Sequence, residues 1–454
     1  MQLTRALGIA PGEIVAFTGA GGKTSALFRL GAELAAAGWR VVGSTTTQIS
    51  VSELALAPRS LAIGAGIGLR PAAISRALTQ DKFVFLYRQI IGERALGLSV
   101  ESINALADAI DSDITLIEAD SAQQRSFKAP FNHEPAIPAD TTLVVPMVGL
   151  DALGLTLDDD HVYNGAAMIE QFGYIPGERV RAPWIASVMR DEYLGLKGVP
   201  ENARVIALIN KVSGQGYRRG RARLIAQLML RSPRIRGVAI GEVKNTQADP
   251  IHEVRRRIGA VVLAGGMSSR MGQLKVLMPW DGRPVISAIL ERLRNARLDD
   301  VVVVTGHAAS QVRIAASREG VRCVHNPDYR DGEMLSSLQV GLRALGPEIA
   351  ACLVVLGDQP QIEPRVISDL LAAYAEGKGD IVAPSYRRRR GHPYIVDRAF
   401  WPELLEVPPE TAPRDVINAH SDATAYIDAP TDSILRDIDT PEDYARERRL
   451  AGLN

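Results

Sequence analysis

Residues 260–275 read Ala260-Val-Val-Leu-Ala-Gly-Gly-Met-Ser-Ser-Arg-Met-Gly-Gln-Leu-Lys275. The apolar run 260–264 predicts a strand, and the glycines that follow predict a tight turn at its carboxyl end. Gly265, Gly266 and Gly272 let the backbone pass close to a bulky anion, because no Cβ stands in the way. Arg270 and Lys275 follow at a fixed distance and supply the positive charge that phosphate requires. A strand, a glycine turn and two cations predict a nucleotide site, and they do so at the start of a second α/β unit.

Outward from this stretch, short apolar runs alternate with helical patterns. Strands are predicted over 300–305, 321–325 and 351–357, and helices over 285–296, 308–318, 334–345 and 363–376. Upstream, strands are predicted at 14–18, 40–45, 114–118, 141–148 and 205–210, with a helix over 23–38 and loops at 148–160 and around 214–220. Such alternation predicts mainly parallel sheets with helices on both faces. Arg255, Arg256 and Arg257 read as a linker or a solvated helix face and put the boundary near residue 256. The chain is thus expected to hold two doubly wound domains: 1–256, which is P-loop-like, and 257–454, which is Rossmann-like.

The first domain carries its own phosphate signal. Val15-Ala-Phe-Thr-Gly-Ala-Gly-Gly-Lys-Thr24 ends a strand and opens a helix. The backbone N–H groups of Gly19, Ala20, Gly21 and Gly22 are expected to cradle phosphates at the helix N-terminus, where the dipole favours anions. Lys23 reaches terminal phosphates and Thr24 ligates Mg²⁺. The loop is shorter than the usual P-loop, whose first glycine falls here at Phe17. Thr115-Leu-Ile-Glu-Ala-Asp120 places Glu118 and Asp120 at a strand end as metal ligands, with helix capping as the alternative. Asn210-Lys211 resembles the base-reading Asn-Lys-x-Asp motif of GTPases, with Ser213 at the acidic position. ATP or GTP is the expected ligand.

Composition bounds the rest. Of 454 residues, 46% are hydrophobic and 23% charged, as in ordinary globular proteins, and the length implies two or three domains. Lys+Arg and Asp+Glu both total 52, so no global basic field invites nucleic acid or an anionic membrane. Aromatics at 5% argue against a base-stacking platform for single strands. Cys323 and Cys352 provide neither a disulfide framework nor a zinc site and read as buried thiols. Residues 1–15 make a poor signal peptide, and no apolar run is long enough for a membrane span. The expectation is a cytoplasmic enzyme acting on small molecules.

Two family resemblances follow. Gly19-Ala-Gly-Gly-Lys-Thr24, Ser44-Thr-Thr-Thr47, Glu118-Ala-Asp120, Lys128-Ala-Pro130, His133-Glu-Pro135 and Val148-Gly-Leu-Asp-Ala-Leu-Gly154 resemble the YqeC family, accessory proteins of selenium-dependent molybdenum hydroxylases. That resemblance implies a phosphate-binding fold, and a molybdenum hydroxylase apoenzyme as partner. His133 and Glu134 position a ligand or serve a structural hydrogen bond. Leu263-Ala-Gly-Gly-Met-Ser-Ser-Arg-Met-Gly-x-x-Lys275 resembles the signature of MobA-like nucleotidyltransferases. It implies that Leu263, Ala264, Gly265, Gly266, Ser268, Ser269 and Gly272 bind the nucleotide, while Arg270 and Lys275 hold the triphosphate and stabilise the leaving group.

In that second resemblance Leu353-Val-Val-Leu-Gly-Asp-Gln-Pro360 puts Asp358 at the carboxyl end of a strand, as a catalytic Mg²⁺ ligand. Asp439, in Asp437-Ile-Asp-Thr-Pro441, is a second ligand or a helix N-cap, and Thr440-Pro441 starts the last helix. Asn326-Pro-Asp-Tyr329, Gly332-Glu-Met-Leu-Ser-Ser-Leu338, Gly357-Asp-Gln-Pro360 and Gly391-His-Pro393 resemble the cytidylyltransferase branch acting on molybdenum cofactor. Ser336 and Ser337 then bind ribose or phosphate, or cap their helix. Gln359 and His392 contact the acceptor, His307 lies near the base, and Arg387–Arg390 attract a pterin phosphate or form a solvated loop. Leu-Ala-Gly-Gly in place of Leu-Ala-Ala-Gly is a guanylyl-branch trait, so the base is CTP or GTP. The implied reaction joins CTP to a molybdopterin-type cofactor and releases pyrophosphate. A sugar-phosphate nucleotidyltransferase and a non-catalytic cofactor carrier are the rivals.

Overall fold

The computed structural model describes residues 1–64, 71–214, 216–268, 271–330, 334–408 and 412–453. It divides into two compact units, Met1–Arg255 and Arg256–Asn454. Among the described residues no helix is long and apolar enough to cross a membrane.

In the first unit a nine-stranded sheet runs in the order Ile251–Arg256, Ile235–Gly241, Arg204–Asn210, Leu143–Gly149, Glu13–Gly19, Ile114–Glu118, Val41–Thr45, Phe83–Tyr87 and Arg59–Ala62. From Ile235–Gly241 onward every neighbouring pair is parallel. Central strands buried on both faces read as continuous apolar runs, as Leu143–Gly149 does. Glu13–Gly19 lies between Leu143–Gly149 and Ile114–Glu118, so its carboxyl end faces a crevice between strand ends, where open α/β sheets bind ligands. Three apolar clusters cover the two faces.

In the second unit the order is Arg322–His325, Asp300–Thr305, Ile258–Ala264, Ala351–Leu356, Tyr394–Asp397, Ile381–Tyr386 and Arg389–Arg390, with Thr424–Asp428 beside Ile381–Tyr386. The first four strands are parallel, whereas Tyr394–Asp397 enters antiparallel. Ile258–Ala264 again sits between two strands that follow it in sequence, which puts the glycine turn after Ala264 in the crevice.

Three expectations need correction. Arg255 and Arg256 belong to a strand, Ile251–Arg256, and not to a linker. The buried Glu253 carboxylate accounts for the charge around it, with Arg219, Arg223 and Arg255 within ion-pair distance. The loop at 214–220 is shorter than expected, since a helix begins at Tyr217. Cys352 is buried but Cys323 only half-buried, because its strand is at the sheet edge.

Candidate functional sites

In the first unit the turn after Glu13–Gly19 leads into the helix Lys23–Ala36. Gly21 has φ +85°, and a Cβ there would lie 2.3 Å from Gly149 N, so only glycine fits. The turn is fastened to its surroundings. Gly19 N donates to Asp120 Oδ2 at 2.9 Å, Ala20 N to Met147 O at 2.9 Å and Gly21 N to Arg125 O at 3.1 Å. These three donors are spent inside the protein, which corrects the expectation that they cradle phosphate. The donors left for an anion are those opening the helix, at Gly22, Lys23 and Thr24.

Lys23 is buried, and its ammonium lies 2.7 Å from Gly19 O, 3.1 Å from Asp120 and 3.7 Å from Glu118. Burial works against its charge, yet Asp120 and Glu118 together raise its pKa. Burial pushes the Glu118 carboxyl up to about 7, although Lys23 and the Thr24 hydroxyl, which donates to it at 2.8 Å, favour its ionised form. Glu118 and Thr24 line a cavity of about 1090 Å³ together with Lys23, Arg125, Lys211 and Lys244. Asp120 does not line it. It is walled off between Lys23 and Lys128, so it braces the turn and is not an open metal ligand. Asn210 is likewise structural: its Nδ2 donates to Gly21 O at 2.8 Å and its Oδ1 accepts from Val243 N at 2.9 Å. Its amide straps the turn to the segment after Ile235–Gly241, a role that sequence reasoning did not assign. Lys211 faces the cavity, held by Asp151 at 2.9 Å and Ser126 at 2.6 Å.

Sequence reasoning placed Lys128 in the YqeC resemblance but gave it no role; it is buried between Asp120 at 3.0 Å and Glu134 at 2.9 Å. Sequence reasoning missed Arg125 and Lys244 on the cavity wall. Their one signal was position just beyond a strand's carboxyl end.

In the second unit the turn after Ile258–Ala264 closes on itself. Lys275 N donates to Ser268 Oγ at 3.2 Å and Met271 N to Ser268 O at 3.0 Å. Gly272 has φ +67°, as its place in the turn predicts, while Gly266 has open space around it. Ser269 and Arg270 lie outside the described residues, as do Gly332 and Glu333. Leu263 and Ala264 end the strand, and Gly265 O accepts from His307 N at 3.2 Å, which sets His307 beside the turn.

The turn delivers Lys275 to two carboxylates. Its Nζ lies 2.5 Å from Asp439 Oδ1 and 3.4 Å from Asp358 Oδ2. Burial raises the Asp358 pKa, Lys275 opposes the shift and Asp437 adds to it. Asp439 is not the N-cap: the cap of Pro441–Leu450 is Thr440, in a capping box with Asp443. Among the described residues no three His, Cys, Asp or Glu side chains form a ready-made metal cage. Two converging carboxylates nonetheless fit Mg²⁺, a hard cation that takes one or two protein oxygens and completes its shell with phosphate oxygens and water.

Ser336 and Ser337 are buried, and both hydroxyls accept from Asn326 Nδ2, at 2.9 and 3.0 Å. They open the helix Met334–Ala344 under Asn326, a residue of the family resemblance whose role as a strut sequence reasoning did not assign. Gln359 donates to Asp437 at 2.8 Å, and its buried Oε1 has no hydrogen-bond partner among the described residues. The same holds for His392 Nε2. Burial, with Arg390, pushes the His392 imidazole down to about 4, so it is neutral at physiological pH. Gln359 Oε1 and His392 Nε2 are each a buried polar atom that a bound molecule could satisfy.

Comparisons with known proteins match each unit separately. A family model described as a MobA-like NTP transferase domain matches residues 260–424, and one described as YqeC protein matches residues 15–165. The molybdenum cofactor cytidylyltransferase of Escherichia coli (strain K12) is 26% identical over 194 residues, 42% of this chain and 96% of that protein. The YqeC protein of the same strain is 29% identical over 203 residues, 44% of this chain and 76% of its own. A protein of Paenarthrobacter nicotinovorans named nicotine blue oxidoreductase is 30% identical over 196 residues, 42% of this chain and 95% of its own.

Proposed function

The chain belongs to the MobA-like NTP transferase family through residues 260–424 and to the YqeC family through residues 15–165, and from that premise we propose that it is a molybdenum cofactor cytidylyltransferase fused to a nucleotide-binding accessory domain. The boundary between the two functions falls near residue 256. The second unit joins CTP to the phosphate of a molybdopterin-type cofactor. An acceptor phosphate oxygen attacks the α-phosphorus of CTP, the bond to the β-phosphate oxygen breaks, and pyrophosphate leaves. The acceptor oxygen is already ionised at neutral pH, so no protein nucleophile is needed.

The observation that carries this reading is the meeting of Lys275 with Asp358 and Asp439 beside the glycine turn. Asp358 and Asp439 would hold Mg²⁺, which supplies positive charge against the triphosphate. Lys275, drawn off the carboxylates by phosphate, stabilises charge on the departing pyrophosphate, as Arg270 does in the family resemblance. Gly265, Ser268 and Gly272 shape the loop around the nucleotide, and His307, Ser336 and Ser337 border it. Gln359 and His392 offer their orphaned atoms to the acceptor. The E. coli cytidylyltransferase relative and the Gly-Asp-Gln-Pro stretch favour CTP, whereas Gly265 is the residue that favours GTP.

In the first unit a P-loop-like site takes ATP or GTP on the helix start at Gly22–Thr24, with Lys23 on the terminal phosphate and Thr24 and Glu118 toward Mg²⁺. Its role is to help deliver finished cofactor to a molybdenum hydroxylase apoenzyme.

The test is pyrophosphate release from each of the four NTPs with purified cofactor. CTP should be turned over, and Lys275→Ala and Asp358→Ala should each lose on the order of 10² to 10³ in kcat. Turnover of sugar phosphates and not of cofactor would replace the acceptor. Undiminished release in both variants would sink the catalytic assignment.

A further inference from the structure

Beside the large cavity of the first unit lies a second, of about 340 Å³, lined among others by Thr46, Thr47, His133, Glu134 and Tyr163. The two share Gln48, Ser121 and Gln123 as lining, so they are neighbours. We propose that the smaller cavity is a chamber for the ring of a second small molecule, a flat heterocycle with hydrogen-bond donors and acceptors round its edge. The proposal rests on the reading of the larger cavity as a nucleotide site.

The sheet fixes the arrangement. The larger cavity reaches from Asn210, Lys211 and Glu242, at the ends of Arg204–Asn210 and Ile235–Gly241, across the Gly21–Thr24 turn and Glu118 to Gln48, Glu53 and Arg94. The smaller one lies past Glu118, beyond the ends of Val41–Thr45 and Ile114–Glu118. With phosphates on the turn, a nucleotide has room for its sugar and base inside this larger cavity. The larger cavity holds a whole nucleotide by itself, so the smaller chamber is left over for something else.

Its lining suits a flat polar molecule. Thr46, Thr47, Gln48, Ser121 and Gln123 bring hydroxyls and amides, and 340 Å³ is at the lower end for small-molecule sites. Tyr163 forms one wall. The Phe131 ring meets it edge-on at 5.2 Å, and the His133 ring lies parallel to Phe131 at 6.1 Å. Phe131 is 43% exposed, an aromatic face left in solvent behind the His133 and Tyr163 rings of the lining. A buried string of charges runs between the chambers: Lys23 to Asp120, Asp120 to Lys128, Lys128 to Glu134. Glu134 also accepts from Ser121 N at 3.2 Å, so the partition wall is tied to the same string. Thr46, Thr47, Lys128, His133 and Glu134 come from three separate stretches of sequence, and each borders or braces this one chamber.

Hydrogen exchange on the full chain tests this, since it reports where a probe binds and so separates this chamber from the second unit. The probes are neopterin monophosphate and AMP, each added with Mg·ADP present. One of them should slow exchange about tenfold in the peptides covering 45–49 and 131–136. His133→Ala should weaken that probe about tenfold, as loss of an aromatic stacking partner does, with Mg·ADP binding unchanged. Protection by neopterin monophosphate alone identifies a pterin, and protection by AMP alone a second nucleotide. If neither probe protects 131–136, the chamber proposal is overturned. If Mg·ADP itself fails to protect 19–25, the nucleotide reading falls separately, whatever the probes do.

Discussion

Glu118 is the residue at which burial and function collide. Two ammoniums, Lys23 and Lys128, face three carboxylates, Glu118, Asp120 and Glu134, all nearly cut off from water. One carboxylate is in excess, and burial raises Glu118 from an ordinary 4.5 to about 7. The folded chain therefore holds a proton that the unfolded chain has lost between those two values. Stability from this group is greatest at low pH and is lost as pH rises toward 7. Glu118→Gln keeps a partner for the Thr24 hydroxyl and removes the titration. The expected result is a melting temperature of the first unit that falls from pH 5 to pH 8 more steeply in the wild type than in Glu118→Gln. Parallel profiles would show that Glu118 ionises at its ordinary value. Lys23, Thr24 and Glu118 were legible because a glycine turn and a strand end announce them. Lys128 was not, since a lysine between Phe127 and Ala129 reads the same in sequence whether buried or exposed. Only the distant pairing of Phe127–Lys128 with Val162–Tyr163 encloses it.

At the scale of elements, the second site depends on how one helix start is held. Asn326 follows the strand Arg322–His325, is fully buried, and spends its amide on Ser336, Ser337 and the backbone N of Asp328. Ser337 Oγ lies about where a Gly265 side chain would touch it, 3.5 Å from an ideal Cβ, so the strut sets the floor under the glycine turn. Asn326→Ala leaves buried hydroxyls and an N–H short of partners. It should cost on the order of 2–3 kcal/mol in urea denaturation and raise KM for the nucleotide more than it lowers kcat. A change in kcat with KM unmoved would mean that the strut serves the chemistry and not nucleotide binding. The parallel strands were legible because strands buried on both faces are written as unbroken apolar runs. The antiparallel insertion of Tyr394–Asp397 was not, because Pro393 and Asp397 bracket only a short run and strand direction leaves no mark on it. The spent donors of Gly19–Gly21 escaped for a related reason: their acceptors, at Asp120, Met147 and Arg125, are over a hundred positions away.

For the whole molecule, each unit closes its own sheet with its own apolar clusters. Phe17, Phe83 and Phe85 are buried in the first, and Val262, Leu353 and Leu370 in the second. A unit with a separate core melts as its own cooperative block. Calorimetry of the full chain should therefore show two transitions. CTP with Mg²⁺ should raise one of them, since a ligand stabilises the folded unit that binds it. Phe17→Ala should lower the other, by the several degrees that about 3–5 kcal/mol represents for a truncated buried phenylalanine. The transition raised by CTP should not move in Phe17→Ala. If both move together, or if one transition carries all the heat, the two sheets fold as a single block and nucleotide bound at Lys275 would be felt at Lys23. The pyrophosphate assay would then have to be repeated with ATP or GTP filling the first unit, because the cytidylyl transfer rate would depend on its occupancy.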